Sequence, residues 1–221
     1  MVSRKHPDLE IRSLRKDDLE RVVELQFYSW HEYYQQYSIY DLIKDSVTRD
    51  SLRAGWQPFL GAGSAEGSRL VIGAERRAFV AVLAKEIVGV GAASSYVEGK
   101  WPVVDSLLKD SQGRIEKTAK FQELYILPEL RSHGLGRRLS LVRAEIMLDL
   151  GYKALFLTTY AEAEKTNQYH LKNGLEKVHE YMSIEKFKDE KRVKIACFLH
   201  RDLEKYRNSL KAKLDDAGHS A

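Results

Sequence analysis

The segment Arg131-Ser132-His133-Gly134-Leu135-Gly136 has the residue types best suited to chemistry. It follows the apolar run Phe121-Gln122-Glu123-Leu124-Tyr125-Ile126-Leu127-Pro128 and precedes a helical pattern, so its glycines fall in a strand-to-helix turn. Glycine lets a backbone approach a ligand with no Cβ between them. The first turn of a helix adds N–H groups without internal acceptors, at the positive end of its dipole. Such a turn cradles an anion, and it predicts a ligand that carries a pyrophosphate. Two other phosphate loops do not fit. A nucleoside-triphosphate loop ends in Gly-Lys-Ser or Gly-Lys-Thr, whereas Gly136 is followed by Arg137-Arg138. A dinucleotide fingerprint needs a further glycine where this chain has Leu139, and it opens a βαβ unit rather than lying mid-chain after a hairpin.

The elements that must hold this turn are readable from periodicity. Residues 120–127 form the strand before it, ended by Pro128, which has no N–H for a ladder. Leu135, Leu139, Val142, Ile146 and Leu150 keep one apolar face on the helix after it, and Gly151 is a natural stop. Residues 154–160 read as a strand that crosses over to lie parallel to the first. A short helix over 164–172 closes at Asn173-Gly174, and strands follow over 175–184 and 192–199. Leu203, Tyr206, Leu210 and Leu214 give a C-terminal helix its stripe, with residues 215–221 expected to fray.

Upstream, residues 9–14 read as a first strand. Asp17 with Glu20 forms a capping box for a helix carrying Leu19, Val22, Val23, Phe27 and Trp30, and a second helix spans about 39–53. Residues 79–84 and 87–96 are antiparallel strands joined at Lys85-Glu86, a turn with no glycine to indicate its type. Residues 55–73 read as a small, polar loop insertion, and 99–117 as a connection or short helix. The aromatic residues Tyr28, Trp30, Tyr33, Tyr34, Tyr37 and Tyr40 have helical spacing, which predicts packing first and a substrate-lining role second.

At 221 residues, 43% hydrophobic and 31% charged, the chain is long enough for one well-buried core. We expect a single domain over 1–221, its core at about 9–199 and its C-terminal helix at about 202–214. A net charge of +4, with basic and acidic residues interleaved, suits an anionic ligand and does not argue for nucleic acid. The lone Cys197 allows no internal disulfide, and it reads as a small hydrophobe in an apolar strand. The histidines show no zinc-ligand spacing, so no metal is expected. No secretory leader or membrane-length apolar run is present, which makes a cytoplasmic location the default.

Arg131-x-x-Gly134-x-Gly136, with Leu124-Tyr125-Ile126-Leu127-Pro128-Glu129 before it and an amphipathic helix after it, resembles the acyl-CoA loop of the GNAT superfamily of acetyl-CoA-dependent N-acyltransferases. The stretch from Asn167 to Asn173-Gly174-Leu175 resembles a second motif of that family, and the order of elements agrees over about 9–199. The resemblance implies an α/β fold, in detail a mixed and largely antiparallel sheet of about seven strands with helices on both faces, splayed where the cofactor enters. It implies acetyl-CoA as co-substrate and direct transfer of the acetyl group to a primary amine, with a non-catalytic acyl-CoA-binding module as the alternative. A small-molecule or peptide amine is the expected partner, without nucleic acid or membrane, and a homodimer is compatible with the sequence.

Residue by residue, the resemblance assigns the pyrophosphate to the N–H groups of His133, Gly134, Leu135, Gly136 and Arg137, with Ser132 as a further cofactor-binding residue of the loop and Arg131, Arg137 or Arg138 adding charge. It lays the pantetheine arm along Leu124, Tyr125 and Ile126, and it gives Asn167 a contact with that arm or with neighbouring backbone. The Leu124 N–H is the candidate donor to the carbonyl oxygen, and Glu123 the candidate base for the amine. Family members often carry a tyrosine four residues before the second-motif glycine to protonate the leaving thiolate. This chain has His170 there and Tyr169 beside it, so either residue is a candidate acid.

Overall fold

A computed structural model describes residues 8–60, 75–99, 101–185 and 191–219. A seven-stranded sheet has the order β1-β2-β3-β4-β5-β7-β6. Its strands are β1 (Glu10–Ser13), β2 (Arg76–Leu83), β3 (Glu86–Ser95), β4 (Thr118–Ile126), β5 (Ala154–Tyr160), β6 (Glu176–Glu185) and β7 (Lys191–His200). Each neighbouring pair is antiparallel except β4 and β5, which are joined through the helix α5 (Leu135–Asp149) and run parallel. Alternation of small and branched side chains along β2 and β3 feeds both faces of the sheet: Val80, Val90 and Ala92 on one, Phe79, Ala81 and Ala93 on the other.

The first face is covered by α1 (Leu19–Tyr34), α2 (Ile39–Ile43), α3 (Arg49–Leu60) and α4 (Pro102–Leu108), the second by α5 and α7 (Leu203–His219). A short helix, α6 (Glu164–Lys172), links β5 to β6. Leu139 on α5 is fully buried, its Cδ1 3.1 Å from where a Gly89 Cβ would stand, so the missing side chain on β3 sets how closely α5 lies on the sheet.

Several local expectations are revised. Asp17 and Glu20 form no capping box, because Glu20 pairs with Arg53 of α3. Asp18 instead accepts the Arg15 N–H at 2.8 Å and both terminal nitrogens of Arg12. The helix expected over 39–53 breaks into α2, a 3-10 turn at Lys44–Ser46 and α3, which carries Gly55 inside it; the rest of the expected loop, 61–73, lies outside the described residues. The β2–β3 hairpin turns through Ala84 and Lys85, both at positive φ (50° and 71°), the conformation of a type I′ turn built here without glycine. Residues expected to fray continue α7 as far as His219. Among the described residues no helix is long and apolar enough to cross a membrane. Replacing Leu139 by Ala should cost about 2–5 kcal/mol of unfolding free energy in a urea titration, since it removes a fully buried side chain and leaves a cavity between α5 and β3.

Candidate active site

The site is built where β4 and β5 part. They pair only at Thr118, Ala119 and Lys120, after which β4 stays with β3 to Ile126 and β5 with β7 to Tyr160. At the fork β4 carries a bulge: Gly91 faces Leu124 and Ala92 faces Gln122, leaving Glu123 as the extra residue at φ 46°. A side chain at positive φ stores about 1–3 kcal/mol of strain. The bulge also resets the alternation, so Phe121 and Leu124, three apart, both face α5, while Tyr125 turns toward α1.

On the α1 side, the Glu123 carboxylate accepts a hydrogen bond of 2.8 Å from Gln26 Nε2, and Gln26 Oε1 accepts one of 2.6 Å from Trp56 Nε1. Because indole N–H only donates, it fixes which end of the amide faces Glu123. Burial raises the Glu123 pKa, and Lys120, Gln26 and Tyr125 restrain the rise. Tyr125, Tyr34 and Tyr160 pack into one cluster across the fork, with the Tyr34 and Tyr160 rings 5.3 Å apart and perpendicular. The aromatic residues of α1 pack as expected first: Trp30 is buried in the core, and Tyr34 packs with Tyr125 and Tyr160 against the cluster around Trp30, Val193 and Ile195.

On the α5 side, Gly134 precedes the helix at φ 79°, and the first backbone bond is Arg138 N–H to Gly134 O. Among the described residues the N–H groups of Leu135, Gly136 and Arg137 therefore have no backbone acceptor. A Cβ on Gly136 would lie 3.3 Å from both Ile126 Cδ1 and Tyr169 Oη, so the second glycine is required by the approach of α5 to β4 and α6. Leu135 is buried, while Ser132 (φ 69°) and His133 are exposed, with His133 Nδ1 donating to Arg131 O at 2.8 Å.

Arg131 is occupied elsewhere: it donates to Glu32 at 2.6 Å and to Ile126 O at 3.2 Å, bracing α1 against the end of β4. Arg137 reaches Asn173 Oδ1 at 3.3 Å, and Lys213 of α7 reaches Lys172 O at 2.5 Å. These two cations are close enough that Arg137, after burial, lowers the Lys213 pKa. Asn167 accepts from Thr159 and donates to Ala161 O at 2.9 Å, so it fastens the backbone where β5 leaves the sheet and does not cap α6.

The two candidate acids differ. Tyr169 Oη is buried against the first turn of α5 with no hydrogen-bond partner among the described residues. Burial raises its pKa, and Ser140, Arg143 and Arg137 oppose that rise. His170 turns to Phe198, ring centroids 5.5 Å apart, and its Nδ1 also lacks a partner. Burial, then Arg143, pushes its pKa down to about 3, so the ring is neutral near pH 7. Sequence reasoning missed Gln26, Trp56, Arg143 and Lys213. A polar residue on an otherwise apolar helical stripe, as with Gln26 between Val22 and Trp30, was the available signal for the first and third.

The family model for the GNAT acetyltransferase family matches residues 28–175, more than half of the chain. The chain belongs to that family. It is accordingly an N-acetyltransferase that uses acetyl-CoA. No curated protein matches the chain in sequence. Solved structures share its fold at low identity. An N-acetyltransferase from Staphylococcus aureus Mu50 is 16% identical, with a TM-score of 0.58 over 88% of this chain and 98% of that one. Arabidopsis thaliana NAA60 in complex with acetyl-CoA is 12% identical, with a TM-score of 0.60 over 87% and 97%. The spermidine N-acetyltransferase of Vibrio cholerae in complex with CoA and spermine is 17% identical, with a TM-score of 0.54 over 90% and 98%.

The pKa shifts give the acetyltransferase two opposite pH signatures. A raised folded-state Glu123 contributes stability that is full below the ordinary carboxyl value of about 4.3 and lost as pH rises through the folded value. Glu123→Gln should therefore gain stability over wild type as pH rises from about 4 to neutrality. A depressed His170 contributes stability that is present above about 6.5 and lost as pH falls toward its folded value. His170→Phe should be less acid-sensitive than wild type, and melting temperatures across the pH range check both.

Proposed function

We propose that the protein transfers an acetyl group from acetyl-CoA to a primary amine by direct attack within a ternary complex. The observation that carries this reading is the fork between β4 and β5, with unpaired helix N–H groups on one face and a buried carboxylate on the other. Acetyl-CoA supplies an activated thioester carbonyl. The glycine turn suits its pyrophosphate in two respects: N–H groups without acceptors, and a Gly136 surface that a Cβ would fill. Ser132, His133, Gly134, Leu135, Gly136 and Arg137 hold the pyrophosphate through backbone. Arg137 and Lys213 add charge, and Arg131 serves as a brace. The edge of β4 at Leu124, Tyr125 and Ile126, unpaired toward β5, accepts the pantetheine arm as an added strand would pair.

The incoming amine must be neutral to attack, and Glu123 takes its proton. The new N–C bond forms as the C–S bond breaks, with the Leu124 N–H donating to the carbonyl oxygen while charge develops there. Tyr169 gives its hydroxyl proton to the leaving sulfur. It is preferred to His170 because its oxygen and the Ile126 side chain, on the strand that takes the pantetheine arm, meet over Gly136, whereas the His170 ring packs on Phe198 and is not an imidazolium near pH 7. Tyrosine rings beside one carboxylate suit a cationic amine flanked by apolar groups, such as a peptide N-terminus or an alkylamine.

Titration with acetyl-CoA, followed by thiol release against polyamines, aminoglycosides, amino acids and peptide N-termini, tests the reading. Acceptor-dependent thiol is expected; tight binding with no such release from any acceptor would leave a binding module. Gly134→Asp should lose acetyl-CoA binding in calorimetry while its circular dichroism stays native, because a side chain at φ 79° and a carboxylate both oppose the anion. Tyr169→Phe should lower kcat by about 10²-fold or more, with acetyl-CoA KM little changed, and His170→Phe should retain most of its turnover.

A further inference from the structure

Arg143 is buried to 3% exposure inside a protein domain, and no carboxylate pairs with it among the described residues. Its Nη1 donates to two carbonyls, Ala92 O and Gln122 O, both at 3.2 Å, and its Nη2 donates to Ser140 Oγ at 2.9 Å. Those carbonyls flank the β4 bulge, where the extra residue leaves the ladder irregular. The guanidinium thus fills the defect that turns Glu123 and Leu124 to their places. Gly91 makes room for it, since a Cβ there would lie 3.3 Å from Arg143 Nε, and the Phe121 ring covers it, centroid 4.5 Å from Cζ.

A buried charge without a counter-ion is expensive, and Arg143 Nε has no hydrogen-bond partner among the described residues. Gly136, Ser140 and Arg143 succeed one another at helical spacing on the inward stripe of α5. The Tyr169 hydroxyl lies against Gly136 at the head of that stripe, itself without a partner. The other titratable groups around this pair are Arg137 on α5, His170 on α6 and Tyr206 on α7. His170 is neutral, and no acid appears among them. The leaving-group side of the fork is therefore held positive by a residue that also fixes the bulge.

We propose that Arg143 is a positioning residue for acyl transfer: it locks the bulge through Ala92 O and Gln122 O, and its uncompensated charge strengthens Tyr169 as the hydrogen-bond donor to the departing sulfur. The inference rests on the assignment of Tyr169 as the acid. That assignment is tested first and separately, since a Tyr169→Phe enzyme with wild-type kcat sinks it before any Arg143 variant is made.

The test compares Arg143→Lys, which keeps the charge, with Arg143→Gln, which keeps a donor but loses the charge. The thiol of CoA bound to each enzyme is titrated through the ultraviolet absorbance of its thiolate, and kcat and KM are measured alongside. With Arg143→Gln the bound thiol should titrate about one pH unit higher than in wild type, and kcat should fall with acetyl-CoA KM nearly unchanged. Arg143→Lys should restore most of both. In a Tyr169→Phe background the Gln substitution should lower kcat by less than it does in wild type, the remaining fall coming from the loosened bulge. A bound-thiol midpoint that is the same in wild type and Arg143→Gln, or a Lys variant no better than the Gln variant, overturns the inference whatever the melting temperatures show.

Discussion

Beyond Lys120 and Phe156, β4 and β5 no longer exchange backbone hydrogen bonds, and the sheet divides into two halves that each remain fully paired on their outer sides. Leaving a strand edge unpaired inside a domain is costly unless a ligand or side chain satisfies it. Part of that satisfaction is internal: Arg131 and Ser29 take the Ile126 carbonyl, and Asn167 and Thr159 tie down the end of β5. The remaining edge of β4 stays available. The helix α5 starts just beyond it, after only a short turn, with first-turn N–H groups that bond no backbone acceptor among the described residues.

The bulge converts this opening into a site with two different sides. By inserting one residue it sends Glu123 and Tyr125 to the α1 face and keeps Leu124 on the α5 face, so a carboxylate and a cation-bearing helix lie on opposite sides of a single strand. Burial then acts in the same physical way on each. It raises the carboxyl pKa of Glu123, and it drives His170 to neutrality while Tyr169 keeps its proton. The relay from Trp56 through Gln26 keeps the Glu123 carboxylate oriented and at the same time satisfies the buried indole N–H of Trp56. Arg143 does the corresponding work for the backbone.

Much of this was legible in the chain. The amphipathic α5, its stop at Gly151, the β5 strand and the α6 helix closed at Asn173-Gly174 follow from 3.6- and 2-residue periodicity and from glycine, all local signals. The glycine turn was legible for the same reason. The expected cap failed where a distant partner overrode local preference, since Glu20 went to Arg53, whereas the hairpin formed as expected and its turn type, open in the sequence, was set by the paired strands that put Ala84 and Lys85 at positive φ.

What the sequence determined by itself is the order of elements, the glycine turn at the head of α5 and membership in an acyltransferase family, since each depends on residues close together along the chain. Tertiary structure alone decided that Gln26 and Trp56 support Glu123, that Arg131 braces α1 rather than the loop, and that Tyr169 and not His170 faces the glycine turn. Those outcomes turn on helix rotation, on a one-residue bulge and on which side chains lose water together. None of these is encoded in spacing, because each is fixed only when elements up to about a hundred residues apart are brought into contact.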